Sequence, residues 1–205
     1  MDPQLLAKAK RHLARRDAVL KPLIGKVGTC TLTINSDHFA ILVRSIIGQQ
    51  ISGKAAEAIS GRLLEKVGRF QPKHILAASA DELRSAGLSG GKQRSIQDLA
   101  EKCQTGLIPL KKLAAMEDAE VIETLTQVHG IGPWTAEMFL IFSLGRTDIL
   151  PIADYGLRAG VQKLYQLEEL PKKAELTELT EPWKPYRSIG TWYIWRSLGG
   201  VPQSK

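Results

Sequence analysis

Four groups of residues in this sequence have types and spacings suited to chemistry. The first is Val128-His-Gly-Ile-Gly-Pro-Trp-Thr135. Gly130 and Gly132 flank one apolar residue, Ile131, and Pro133 suits the first turn of a following helix, where its missing N–H is no loss. Amides at a helix start form an anion site, and the Thr135 hydroxyl is a candidate addition to it. The chemistry is a clamp on a nucleic-acid backbone phosphate, without sequence readout. The second group is Leu150-Pro-Ile-Ala-Asp-Tyr-Gly-Leu-Arg158, where Asp154 stands at the expected start of a helix. A helix N-terminus suits a carboxylate, although a plain N-cap reads the same way. Asp148 is the nearby rival carboxylate, in a loop on the wrong side of Pro151. The third group is Gly48-Gln-Gln-Ile-Ser52 between two apolar helices, which by itself reads as a polar turn. The fourth is a pair of tryptophans, Trp134 and Trp195, whose electron-rich faces attract cations or simply fill a core.

Helices must position all four groups. Apolar spacing predicts a basic amphipathic helix from Gln4 to Leu20, with Lys8, Lys10, Arg11, Arg15 and Arg16 on its polar side. Pro22, Gly25 and Gly28 then break the pattern. Asp37 caps a second helix and Ser52 caps a third, Gly53 to Val67. Ser79-Ala-Asp-Glu82 is a capping box for a short helix. Gly87-Leu-Ser-Gly-Gly-Lys92 turns into a helix carrying Ile96, Leu99 and Ala100; its glycines read as a second phosphate site or as a solvated turn. Further helices are expected over Glu117–Gln127, Pro133–Leu144, from Tyr155, briefly within 171–181, and over Trp183–Leu198. Trp192 and Tyr193 read as core or interface. The one strand candidate is Thr29–Ile34, so the fold class is all-α.

The chain has 205 residues and a formal net charge of +7, which favours a polyanionic partner with nucleic acid first. Two cysteines, Cys30 and Cys103, exclude a four-cysteine zinc or iron–sulfur site in this chain. The most apolar stretch, Met138–Leu144, is far short of the roughly 20 residues that span a bilayer. No secretory pattern is visible at the start, so an intracellular protein is expected, with no membrane partner. Glu168, Glu169 and the acids from Glu175 to Glu181 read as a solvated face turned away from a polyanion.

Together the Gly-Ile-Gly hairpin, the Pro-containing loop and Asp154 resemble the helix–hairpin–helix/Gly-Pro-Asp superfamily of DNA glycosylases. Trp134 stands where bifunctional members carry a Schiff-base lysine. The chain therefore looks like a monofunctional member. Without a cysteine cluster it resembles the alkylbase branch, the 3-methyladenine DNA glycosylase II type. Trp183-Lys-Pro-Tyr-Arg-Ser188 and Trp195 match that branch as well, and the likeness runs over about residues 30 to 198.

The resemblance implies an all-α fold of two helical lobes with a central cleft, a single glycosylase domain over 1–205. The hairpin lobe would be 35–142, and 1–34 plus 143–205 would form the other. It implies hydrolysis of the N-glycosidic bond of 3-methyladenine and 7-methylguanine type purines in duplex DNA, initiating base excision repair. Asp154 would support the oxocarbenium-like sugar. Trp134, Trp195, Met138, Phe39 and His38 would line the base pocket; some relatives have an aromatic where Met138 stands. Gln50 would be the wedge that fills the gap left by a flipped base, with Gln49 beside it. Gly130, Ile131, Gly132 and Thr135 would hold phosphate. The carbonyls of Thr126, Val128 and Ile131 would suit a structural Na, K or Mg ion, with no cofactor required. The partner would be double-stranded DNA containing alkylated bases. A monomer is expected, in the cytoplasm and nucleoid of a bacterium or the nucleus of a eukaryote. The rival readings are a non-catalytic DNA-binding module and a glycosylase for deaminated or oxidised purines.

Overall fold

The computed structural model describes residues 1–201, and among these the regular structure is helical, as expected. Thr29–Ile34 is irregular chain rather than a strand. The helices fall into two compact units, Met1–Ile34 with the chain from Leu140 onward, and Asn35–Phe139. The division lies within a helix, at Phe139, where the sequence suggested residue 142.

The Asn35–Phe139 unit contains α3 (His38–Gly48), α4 (Gly53–Val67), α5 (Pro72–Ala77), α6 (Ala80–Ser85), α7 (Gly90–Thr105), α8 (Asp118–Thr126) and most of α9 (Pro133–Phe142). Helix α3 is buried nearly all round, from Phe39 to Ile47, as befits a central helix. Helix α7 packs on α5, α3 and α6, with Ile96, Leu99 and Ala100 fully buried. Ile96 and Leu99 each contribute about 1.5–3 kcal/mol by this burial. The caps read from sequence form: Asp37 accepts from the Ala40 amide at 3.1 Å, and Ser79 and Glu82 complete their capping box.

The other unit contains α1 (Pro3–Arg16), α2 (Leu20–Val27), α10 (Tyr155–Tyr165), α11 (Lys173–Leu179) and α12 (Arg187–Ser197). Here the sequence reading needs correction. Pro22 and Gly25 do not break the chain; they lie inside α2. Pro22 is the third helical residue, where an amide has no partner within the helix, so its missing N–H costs little. The basic helix consequently ends at Arg16 instead of running to Leu20. Helix α12 is buried from Ser188 to Trp195, and Trp192 and Tyr193 are core residues. Gly160 lets α10 approach α12 closely: a Cβ there would lie 2.2 Å from Ile194 Cγ2.

Asp17 ties this unit together. Its Oδ1 accepts from the Val19 and Leu20 amides at 2.9 and 2.8 Å, capping α2. Its Oδ2 accepts from Trp183 Nε1 at 2.6 Å and from the Tyr165 hydroxyl. No helix among the described residues is long and apolar enough to cross a membrane.

Candidate functional site

Asp154 follows a turn in which its own amide donates to the Pro151 carbonyl at 2.9 Å. It then caps α10: Oδ1 accepts from the Leu157 amide at 2.6 Å. The same oxygen accepts from Trp195 Nε1, on α12, at 2.9 Å. Two donors on one oxygen fix the carboxylate rotamer, and the residue is only 8% exposed. Tyr155, the next residue, is 70% exposed. Asp148, the rival carboxylate, is clamped by Arg187, whose Nε and Nη2 each reach it at 2.8 Å. That fork is a structural ion pair.

In the Asn35–Phe139 unit, one face of α7 supports the turn before α9. Ser95 Oγ donates to the Gly91 carbonyl at 3.0 Å and pairs with His129 Nδ1 at 3.1 Å. Asp98 Oδ2 accepts from the His129 amide and from Lys102 Nζ, each at 2.7 Å. Burial opposes the Asp98 charge, but these two donors outweigh it and hold the carboxyl below its usual range. Lys102 Nζ also donates to the Gln127 carbonyl at 2.7 Å. Gly130 has φ +79, and a Cβ there would meet Ser95 Oγ at 2.4 Å, so only glycine fits. Gly130 and Gly132 are exposed, and the first intrahelical bond is Ala136 N to Gly132 O. The amides before it lie in the first turn, where a helix offers them no acceptor.

The loop from α3 to α4 is bound to this turn. Gln49 Nε2 donates to the Gly130 carbonyl at 2.9 Å. Gln50 is exposed and has φ +59, a left-handed conformation uncommon outside glycine.

A family model described as HhH-GPD superfamily base excision DNA repair protein matches residues 43–185. The chain belongs to this superfamily. DNA-3-methyladenine glycosylase 1 of Schizosaccharomyces pombe is 36% identical over 199 residues, covering 94% of this chain and 87% of that protein. The alkylbase DNA glycosidase-like protein mag2 of the same organism is 33% identical over 196 residues, 92% of each. The structure of S. pombe 3-methyladenine DNA glycosylase in complex with abasic DNA matches with a TM-score of 0.84. That match covers 97% of this chain and all of the other at 34% identity. A DNA-3-methyladenine glycosidase from Bacillus halodurans also gives 0.84, over 93% and 89% of the two chains at 37% identity. The protein is thus a DNA glycosylase of the 3-methyladenine glycosylase type, and its activity class is base excision repair.

Within this HhH-GPD glycosylase the expected site residues fare differently. Trp134 is half-buried on α9. His38 is half-buried with its ring edge on Phe139, centroids 5.5 Å apart, and burial lowers its imidazole below the usual range while Asp37 opposes this. Met138 and Phe39 are both buried side chains. Thr135 is buried too. Trp195 is only 2% exposed, stacked on Phe142 at 6.0 Å, with its N–H committed to Asp154. Its N–H thereby holds the Asp154 carboxylate in place. Arg158 Nε donates to the Pro171 carbonyl at 3.0 Å. Sequence reasoning missed Tyr155, Ser95, Asp98 and Lys102. The 3- and 4-residue spacing of the last three was the available signal.

Trp195→Phe keeps an aromatic ring but removes the donor to Asp154. Base release is expected to fall about tenfold, with an unchanged far-ultraviolet circular dichroism spectrum; single-turnover kinetics on methylated DNA measure it.

Proposed function

We propose that this glycosylase hydrolyses the N-glycosidic bond of alkylated purines in duplex DNA without cutting the strand. The observation that carries the reading is the Asp154 carboxylate, buried and fixed by two donors on one oxygen. A purine alkylated at N3 or N7 is a cationic leaving group, so its departure needs little protonation. Positive charge then develops on the sugar, and a fixed carboxylate stabilises it. The departing base takes the bonding pair and leaves neutral, while water adds to the anomeric carbon and loses a proton to solvent, leaving an abasic site and a free base.

The other parts follow from the same reading. The hairpin amides hold a backbone phosphate, and Gln50 enters the stack where the base has left it. Trp134, half-buried on α9, supplies a ring for a cationic base. The carbonyls of Thr126, Val128 and Ile131 suit a hard cation. Val128 O keeps a lone pair beyond the one taken by the Ile131 amide at 3.0 Å. Such an ion would add positive charge beside the phosphate. The protein would act as a monomer on DNA inside the cell.

A panel of duplexes, each carrying one defined lesion, tests the function. Release is expected from methylated purines and not from deaminated or oxidised ones. Product strands should stay intact until alkali is added. Direct nicking, or a covalent adduct trapped by borohydride, would overturn the monofunctional assignment, because Trp134 supplies no amine.

A further inference from the structure

Gln50 holds a backbone conformation that a non-glycine residue keeps only under constraint. The loop's own bonds are weak: the Gln49 amide reaches Ile46 O at 3.4 Å and the Ile51 amide reaches Gly48 O at 3.5 Å. The constraint comes from α7. Lys92, its third residue, sends Nζ to the Ile47 carbonyl at 2.6 Å and to the Gln49 carbonyl at 2.9 Å. These carbonyls lie at the C-terminal end of α3, where the helix has no donors left, so a cation satisfies them well. The lysine is half-buried, and burial draws its ammonium below the usual lysine range. Its ammonium is thus committed to the loop carbonyls.

The same face of α7 carries Ser95, Asp98 and Lys102, which hold the hairpin turn. Gln49 closes the circuit from the loop to Gly130. One helix thus fixes both the phosphate turn and the loop that carries Gln50.

We propose that Lys92 is a positioning residue for the wedge: by gripping the carbonyls of Ile47 and Gln49 it sets the Gln50 tip at a fixed offset from the phosphate-binding hairpin. This rests on the reading of Gln50 as the element that replaces a flipped base. A wedge matters only where a base must leave a stack, which makes the role separable from general folding.

The experiment compares Lys92→Met, Lys92→Arg and wild type on one methylated oligonucleotide, as duplex and as single strand. Hydrogen exchange of residues 48–51 is followed in the same proteins. Lys92→Met should release base from duplex about tenfold more slowly, with the single-strand rate little changed, and 48–51 should exchange faster while α7 stays protected. Lys92→Arg, which can donate to both carbonyls, should recover most of the duplex rate. An unchanged duplex rate, an equal loss on both substrates, or unchanged exchange at 48–51 would overturn the proposal. If wild type releases no base from either substrate, the excision reading fails instead, and the exchange data still decide what Lys92 does.

Discussion

Asp154→Asn is expected to release methylated purines from duplex DNA about 10²–10³-fold more slowly than wild type, the usual scale for removing one preorganised electrostatic group. The substitution is informative because it changes so little else. An asparagine oxygen still accepts from the Leu157 amide and from Trp195 Nε1, so the α10 cap and the contact to α12 survive. The charge is lost, and an NH₂ group takes the place of the second oxygen. Single-turnover rates with saturating enzyme separate the chemical step from binding, and DNA affinity should be nearly unchanged. Asp148→Asn supplies the contrast. It breaks the fork to Arg187 and should lower the melting temperature, with a smaller effect on the rate of a correctly folded sample. Comparable rate losses in the two variants, after correction for folding, would leave Asp154 without a special role.

The second large effect is on stability. Asp17→Asn should destabilise the fold by about 3 kcal/mol, the scale for breaking a buried hydrogen-bonded carboxylate network. For a protein of this size that lowers the melting temperature by roughly 6–12 °C. An amide cannot accept from both sides: whichever way it turns, an NH₂ group faces either the α2 amides or the Trp183 and Tyr165 donors. Calorimetry on the pure variant measures the shift. A change within about 0.5 kcal/mol, the range of ordinary surface substitutions, would show that the four bonds contribute little.

How much of this was legible in advance depends on the distance over which each feature is decided. Gly130, Gly132 and Pro133 could be read because a hairpin sets its demands within a few residues. The caps at Asp37, Ser79 and Asp154 are local in the same way. The Trp195 bond to Asp154 joins residues 41 apart, and the Trp183 bond to Asp17 joins residues 166 apart, so no local pattern announces either. Trp195 was recognisable as a residue of interest, but a ring type does not reveal where its N–H goes. Met138 shows another limit: its place in the hairpin helix says nothing of its full burial, which is set by the residues around it. Helix α2 was hidden by Pro22 and Gly25, whose breaking tendency depends on their position within the helix and not on their presence.

On the proposed mechanism the carboxylate that stabilises the sugar also begins α10, so position 154 answers to two selections at once. A descendant released from catalysis would not be free to place any residue there. Asparagine, serine or threonine would keep the helix start, whereas alanine would forfeit about 1 kcal/mol. Inactive relatives should therefore carry small polar residues at this position, and an ancestral aspartate could be regained from asparagine by a single substitution into an already folded helix.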